Sequence, residues 1–246
     1  MKQMVWGVVV LIFLACSSGQ ERESVDCGLC DTDFVTVPHE NVCYTATEQR
    51  LLALGLVDLQ TLDPTIQVSL VYATPDNFLG KVLYSDLRHA LLLPAMAQKV
   101  ADAQQALHQE RPDLNLLVLD AVRPISVQYN MFHTVAGTRL NRYVANPRHG
   151  PGMHNYGAAV DVTLADSQGR PLPMGSDFDH FGIESHIDNE EQLLANGKIT
   201  REEYDNRLLL RRVMRQQGLI PLSNEWWHFN LMSRAEAQRR LKVVDI

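Results

Sequence analysis

The stretch LNLLVLDAVRP, residues 114–124, predicts the centre of the fold. Its run of leucines and valines is typical of a strand that is buried on both faces, and Arg123 with Pro124 ends that strand before a helix begins. On its N-terminal side, residues 94–109 predict a helix with one apolar face, because apolar side chains recur there at spacings of three and four. The residues of this face, which we expect to belong to the core, are Met96, Val100, Ala103 and Leu107.

Further elements are predicted on both sides of this centre from periodicity and from the turn-forming residues that separate them. The predicted strands are residues 66–72, 158–164 and 226–232. The predicted helices are residues 126–137, 202–218 and 233–244. The sequence contains no internal repeat and no second core-forming segment. We therefore expect one α+β domain with a central, mainly antiparallel sheet flanked by helices, and a functional site in a cleft on that sheet.

The N-terminal residues predict an exported protein. Residues 1–16, MKQMVWGVVVLIFLAC, place Lys2 before an apolar run that is shorter than the roughly 20 residues of a lasting membrane span, which is the order of a signal peptide. Residues 13–16, FLAC, resemble the lipobox of bacterial lipoproteins, although Phe13 replaces the usual leucine. The resemblance implies a lipid on Cys16 and a periplasmic or outer-membrane-anchored lipoprotein. Cleavage by ordinary secretion would leave the same domain soluble in the periplasm.

The polar residues 17–47 predict a tether and lead-in segment, so that the catalytic domain is expected over residues 48–246. The tether contains Cys27, Cys30 and Cys43. In an oxidising compartment, either of the first two could pair with Cys43, whereas a Cys-x-x-Cys also suits redox or metal chemistry. A structural or incidental role is favoured, because neither a second pair of cysteines nor a Cys/His pair follows at zinc-finger spacing.

The formal net charge of −7 argues against nucleic acid and anionic lipid surfaces as partners, since both carry the same sign as the protein. We therefore expect no nucleic-acid partner, and contact with a membrane only through the N-terminal lipid.

Two short motifs contain the residue types of a metal site. Residues 152–161, GMHNYGAAVD, place His154 in a glycine-rich loop and Asp161 in the strand that follows. Imidazole nitrogen and carboxylate oxygen both suit Zn²⁺, and a catalytic zinc needs three protein ligands and one open position. Taken alone, this pair is more typical of a hydrogen-bonded His–Asp contact than of a metal site.

The second motif, NEWWH at residues 224–228, adds Glu225 and His228. Positions three apart in a regular strand face opposite sides, so these two side chains converge only if Glu225 lies on the turn that enters the strand. Otherwise Glu225 is a surface residue and His228 a histidine at the edge of the core. Trp226 and Trp227 are expected to form packing walls, one toward the core and one toward the cleft.

GMHNYGAAVD and EWWH together resemble the paired signature of the VanX-type D-alanyl-D-alanine dipeptidases and their D,D-carboxypeptidase relatives, written S-x-H-x-x-G-x-A-x-D and E-x-W-H. The resemblance covers about residues 48–240. Three further segments match that family in the same order. They are YATPDNFLG at residues 72–80, DAVRP at 120–124 and PMGSDFD at 173–179.

The resemblance implies a zinc metallopeptidase, with one Zn²⁺ per chain, that acts in peptidoglycan metabolism by hydrolysing D-Ala-D-Ala to two D-alanines. It assigns Arg123 to polarising the scissile carbonyl and Asp179 to binding the substrate ammonium. Glu225 matches the general base that activates water. The residues that match the zinc ligands are His154, Asp161 and His228.

Each role also agrees with the chemistry of the side chain. A carboxylate accepts and returns a proton, a guanidinium stabilises an oxyanion, and an acid pairs with an ammonium. The simpler alternatives are that Arg123 forms a surface ion pair or begins a helix, and that Asp179 caps a nearby helix.

One departure from the family pattern affects specificity. Gly152 stands where the family has a serine that is associated with holding the substrate, so that Asn155, Tyr156 or backbone donors would have to replace it at the dipeptide carboxylate. Two alternatives to the dipeptidase remain. One is a D,D-carboxypeptidase that trims stem peptides, and the other is a cell-wall-binding protein that has kept the fold without turnover.

Overall fold

The computed structural model describes residues 35–36 and 42–246. The predicted signal peptide, Cys16, Cys27 and Cys30 lie outside the described residues, and with them both cysteines proposed to pair with Cys43. None of the described helices is long and apolar enough to cross a membrane.

Six helices and nine strands are present in the described part of the chain. The helices are α1 (Ala46–Ala53), α2 (Pro94–Glu110), α3 (Ile125–Val135), α4 (Glu190–Ala195), α5 (Arg201–Gln216) and α6 (Arg234–Arg240). The strands are β1 (Val35–Thr36), β2 (Cys43–Tyr44), β3 (Val57–Asp58), β4 (Gln67–Val68), β5 (Leu91–Leu92), β6 (Leu114–Asp120), β7 (Ala159–Asp166), β8 (Ile220–Leu222) and β9 (Glu225–Asn230). Each predicted helix and the strands around residues 114, 158 and 226 are confirmed.

The central sheet has five strands in the order β4-β6-β7-β9-β8, and two small two-stranded sheets join β1 to β2 and β3 to β5. Only β4 and β6 pair in parallel, so the sheet is mainly antiparallel as predicted. Its register places Asp161 opposite both Asp120 of β6 and His228 of β9. These three polar residues therefore lie side by side at one end of three adjacent strands.

One face of the sheet is covered by α2 and α5, which pack on each other and on the strands. The apolar face predicted for α2 is fully buried, and Pro94 begins this helix at the position where its missing N–H has no cost. Along β7, Val160 and Val162 belong to this core, so the alternation of a strand turns Asp161 toward the opposite face. The cleft described below lies on that opposite face.

The predicted strand over residues 66–72 is mostly wrong. Only Gln67–Val68 pair with the sheet, and Val71–Ala73 form a 3₁₀ turn. The turn is stabilised because the carbonyl of Tyr72 accepts hydrogen bonds from the backbone of Leu83 and Tyr84. It turns the Tyr72 side chain into the cleft.

The folded region also begins earlier than residue 48, the expected start of the domain. Tyr44 is buried in the core and donates a 3.0 Å hydrogen bond to Asp58. Thr45 caps α1 in a reciprocal capping box with Glu48. The residues immediately before 48 therefore belong to the packed structure and not to a tether.

Candidate active site

The three residues expected to bind metal come from a turn and two neighbouring strands. His154 lies in the 3₁₀ turn Met153–Tyr156, Asp161 in β7 and His228 in β9. The turn ends at Gly157, whose φ of +67° favours glycine and where a Cβ atom would lie 2.9 Å from the side chain of Leu56. Glycine thus permits the close packing that directs His154 at the sheet.

All three side chains are buried, and their polar atoms converge. His228 Nδ1 lies 2.9 Å from Asp161 Oδ1, and His154 Nε2 lies 3.3 Å from Asp161 Oδ2. The two imidazole nitrogens are 3.2 Å apart. One ligand atom from each residue lies within 4.8 Å of the other two, a spacing that allows all three to contact one ion.

The outward-facing nitrogens of the two histidines fix the orientation of the rings. His154 Nδ1 lies 2.7 Å from the carbonyl oxygen of Ala121, and His228 Nε2 lies 2.9 Å from the side-chain oxygen of Asn230. Because both partners are acceptors, each outward nitrogen carries the hydrogen and donates it. When the two rings are neutral, their inward nitrogens carry lone pairs that face each other and Asp161.

The charge state of Asp161 also suits a cation. Burial alone would raise the pKa of its carboxyl group, but the charge of His154 and hydrogen bonds from both histidines hold that pKa well below its usual range. Although burial opposes it, the contact with Asp161 raises the pKa of His228 to about 9. In the absence of an ion a shared proton would offset the repulsion between the inward lone pairs, and a divalent cation satisfies all three groups at once.

Glu225 lies beside His154, Asp161 and His228, at the entry to the strand that carries His228. It is the first residue of β9, where the pairing with β8 shifts register, and its Oε2 lies 3.9 Å from His228 Nδ1. Burial raises the pKa of Glu225 above its usual value, although the charge of His228 opposes the shift. The side chain is 32% exposed, so it stays accessible from the cleft. Glu225 and His228 thus converge at the entry to the strand.

Arg123 follows β6 and points into the same cleft. Its guanidinium forms an ion pair with Asp120, donates a 3.0 Å hydrogen bond to Gln128 and lies 5.0 Å from the centre of the Tyr72 ring. Asp120 is held in turn by a 2.6 Å hydrogen bond from Tyr84. With 12% of its side chain exposed, Arg123 does not form the surface ion pair considered above.

Asp179 lies in the irregular loop of residues 174–185, and its φ of +57° is the only positive value among the described non-glycine residues. Its Oδ2 accepts a 2.8 Å hydrogen bond from the hydroxyl of Tyr72. Burial raises the pKa of Asp179 to about 8, with Tyr72 opposing the shift. The carboxyl group lines the cleft with the metal-site residues, and its strained backbone is typical of a functional position.

This loop is tied to the rest of the molecule by two side chains. Arg207 of α5 is buried and donates to the carbonyls of Met174 and Glu184, at 2.5 and 2.6 Å, one at each end of the loop. Trp226 donates a 2.9 Å hydrogen bond to Ser176. Trp227 lines the cleft and packs edge-on against Phe178.

The cleft has a volume of about 590 Å³ and is lined by all six residues predicted to bind metal, bind substrate or take part in catalysis. Sequence reasoning gave no role to Tyr72 or Asp120, although both lie in segments that match the family pattern. Asn230 and Arg207 were missed altogether, because neither lies in a motif and their contacts depend on the folded chain.

The two side chains suggested as substitutes for the missing serine have other partners. Asn155 is fully buried, accepts from the backbone of Gly152 at 2.8 Å and donates to the carbonyl of Arg123 at 2.8 Å. Tyr156 is buried in a small apolar cluster with Met153 and Ala237. Neither lines the cleft, so the suggestion that Asn155 or Tyr156 holds the substrate carboxylate is wrong.

Comparison with known proteins connects this arrangement to peptidases. The model of a family described as peptidase M15, D-ala-D-ala dipeptidase, matches residues 52–246. The D-alanyl-D-alanine dipeptidase of Escherichia coli (strain K12) is 32% identical over 183 residues, which cover 73% of this chain and 86% of that protein. The protein of the same name from Synechocystis sp. is 29% identical over 169 residues, 57% of this chain and 68% of its own. One from Enterococcus faecium is 28% identical over 201 residues, 73% and 93% respectively.

Proposed function

Since this chain belongs to the peptidase M15 family of D-Ala-D-Ala dipeptidases, we propose that it is a zinc-dependent dipeptidase that hydrolyses D-alanyl-D-alanine. The observation that carries the metal assignment is the orientation of the two histidines. Their outward nitrogens donate to Ala121 and Asn230, which leaves two lone pairs and the carboxylate of Asp161 directed at one point.

The donor set favours zinc over other common divalent ions. Two imidazoles and one carboxylate are ligands that Zn²⁺ accepts in tetrahedral catalytic sites, whereas Ca²⁺ and Mg²⁺ require mainly oxygen ligands. When bound, Zn²⁺ supplies a Lewis acid that lowers the pKa of water to about 7 and polarises a carbonyl oxygen.

Glu225 and Arg123 provide the remaining chemistry. Glu225 accepts a proton from the attacking water and returns it to the leaving amine, since its carboxylate lies beside His228 and faces the cleft. Arg123 stabilises the negative charge that develops on the carbonyl oxygen of the scissile bond. Its partners Asp120 and Gln128 hold the guanidinium in place before substrate arrives, which reduces the reorganisation needed in the transition state.

Asp179 and Tyr72 favour a free dipeptide over a longer peptide. Asp179 is the acid that binds the substrate ammonium, and its hydrogen bond from Tyr72 fixes the carboxyl group. The binding of a cation favours the ionised carboxylate, against the burial that raises its pKa. A stem pentapeptide has no free ammonium at this position, so a D,D-carboxypeptidase would leave Asp179 without a partner.

We also propose that the enzyme acts outside the cytoplasmic membrane, as a lipoprotein with lipid on Cys16. The support is the order of residues 1–16. In that compartment the substrate is D-Ala-D-Ala derived from peptidoglycan metabolism.

The test is the metal dependence of dipeptide hydrolysis by protein that lacks residues 1–16. We expect release of D-alanine, its loss on chelation and its recovery with one equivalent of Zn²⁺. Full activity after complete metal removal would contradict the proposal. Turnover of D-Ala-D-Ala should also greatly exceed turnover of a stem pentapeptide, and the reverse preference would identify a carboxypeptidase.

Glu225→Ala separates the enzyme from a binding protein of the same fold. It should retain zinc and lose at least about two orders of magnitude in kcat, the usual contribution of a general base. Zinc binding with no turnover by the wild-type protein would favour the cell-wall-binding alternative, and equal activity of the variant would show that another group is the base.

A further inference from the structure

Gly152 leaves the substrate carboxylate without the hydroxyl that the family pattern provides, and the bonds of Asn155 exclude that side chain as its replacement. A free dipeptide carries an anion at its C-terminus, and an enzyme that demands both termini needs a donor there. A suitable donor is a cation in the cleft lining that no protein carboxylate neutralises.

Four basic side chains outside the metal site line the cleft, and three of them lie near an acid. Arg123 pairs with Asp120, His180 lies 3.3 Å from Glu184, and His186 lies 3.7 Å from Asp188. The fourth is the exposed Arg234. Within the described part of the chain, no carboxylate oxygen lies within 4.0 Å of its guanidinium.

Arg234 is attached to the loop in which Gly152 lies. Its Nη2 donates to the carbonyl of Gly150 at 3.0 Å and lies 3.3 Å from the carbonyl of His149. Gly150 has a φ of +103°, and a Cβ atom there would come within 3.2 Å of the same Nη2. Because Gly150 has no side chain, the guanidinium of Arg234 can approach the loop. The other nitrogens of this guanidinium keep N–H groups that can donate to a ligand.

Arg234 and Asp179 line the same cleft and are carried by different elements. Phe178, next to Asp179, packs on Leu117 and Leu119 in the body of β6. Arg234 follows the C-terminal end of β9, and the antiparallel pairing places that end beside the C-terminal end of β6. Asp161 and His228 lie at that same end of the sheet, so Arg234 follows the strand end that carries the metal-site residues.

We propose that Arg234 binds the C-terminal carboxylate of the dipeptide and takes the place of the missing serine hydroxyl. The inference rests on the proposed dipeptidase function. A guanidinium offers a carboxylate two parallel hydrogen bonds and a full charge, and its long side chain reaches across the space that Gly152 leaves. Arg234 is thereby a specificity-determining residue for substrates with a free C-terminus.

The test compares D-Ala-D-Ala with its C-terminal amide, which lacks the charge. In Arg234→Ala we expect kcat/KM for the dipeptide to fall by about 10–100-fold, mostly through KM, because a charged hydrogen-bonded contact is lost. Hydrolysis of the amide should change little. Arg234→Lys should recover part of the loss, and Gly152→Ser should recover part of it in the Arg234→Ala background, since a Cβ atom at Gly152 meets only ordinary contacts.

Arg148→Ala is the matched control, because Arg148 is an exposed cation of the same loop that does not line the cleft. Dipeptide binding by calorimetry to Glu225→Gln protein, with and without Arg234→Ala, gives a readout independent of turnover. An equal loss for dipeptide and amide, or no loss for either, would overturn the role of Arg234. A wild-type protein that hydrolyses neither compound would instead refute the proposed function.

Discussion

Asp161 and His228 lie opposite each other on the hydrogen-bonded strands β7 and β9, whereas Asp179 lies in a loop without regular structure. The first two are positioned by the register of the central sheet. The third depends on Arg207 and Ser176, which tie the loop of residues 174–185 to α5 and β9. The proposed reaction chemistry thus lies on the central sheet, and the proposed substrate recognition on a loop whose geometry rests on a few side-chain bonds.

The largest expected effect comes from the sheet side of this comparison. His228→Ala removes one of the three proposed ligands and should reduce bound zinc and lower kcat/KM by at least about 1000-fold, because the metal supplies several kcal/mol and each 1.36 kcal/mol is tenfold. Metal analysis of the purified protein measures the first effect and dipeptide turnover the second. The exposed His133 of α3 provides the control variant His133→Ala. A variant with full zinc content would show that His228 is not a ligand.

Arg207→Met tests the loop side. We expect a loss of about 3 kcal/mol in the free energy of unfolding, because one buried cation supports two loop carbonyls and lies 3.6 Å from Glu190. Zinc should be retained while KM rises. Urea unfolding measures the first quantity, and hydrogen exchange should increase over residues 174–185.

Arg212→Met is the matched control for that variant. Arg212 is on the same helix, but its pair with Glu110 is about half exposed, so solvent screening leaves it with little effect on stability. If both variants lost the same stability, the anchoring role of Arg207 would be refuted.

Asp179→Asn keeps an acceptor for Tyr72 and removes the charge. We expect KM for D-Ala-D-Ala to rise by about tenfold or more, since a hydrogen bond to a charged group is worth about 1.5–3 kcal/mol, while zinc content stays unchanged. Steady-state kinetics measures KM, and metal analysis measures the zinc content. Asp177→Asn, an exposed acid of the same loop, should leave KM as it is. Loss of zinc in the Asp179 variant would mean that the two sides of the cleft are not independent.

The same contrast explains what the sequence could predict. Strands β6, β7 and β9 and helices α2 and α5 follow from local periodicity, and the proposed zinc ligands follow from two short motifs. Tyr72 could not be placed, because its turn is stabilised by Leu83 and Tyr84 and its hydroxyl partner is 107 residues away. Contacts between distant segments carry no local signal.

The N-terminal boundary was missed for a related reason. Tyr44 lies in a polar segment, and its burial depends on the hydrogen bond to Asp58 and on packing beside His89. Asn230 likewise shows no motif, although its oxygen selects the tautomer of His228.

A second irregular segment is held by one buried charge, as the Asp179 loop is held by Arg207. Glu48 is fully buried and accepts hydrogen bonds from the backbone of Arg88 and His89, at 2.6 and 2.9 Å, and lies 3.0 Å from His89 Nδ1. Although burial opposes both shifts, the contact lowers the pKa of Glu48 below 4.5 and raises the pKa of His89 above 6.5. Unlike Arg207, this anchor titrates.

The stability that this pair contributes should therefore depend on pH. The contribution of Glu48 is present above pH 4.5 and is lost as the pH falls through its lowered pKa, while that of His89 is complete below pH 6.5 and is lost as the pH rises through its raised pKa. His89→Gln should cost about 1–2 kcal/mol near pH 5.5 and less near pH 9, measured by urea unfolding. His133→Gln, a change at an exposed histidine, should show no such difference between the two pH values. A cost independent of pH would mean that the neutral imidazole, and not its charge, holds the segment.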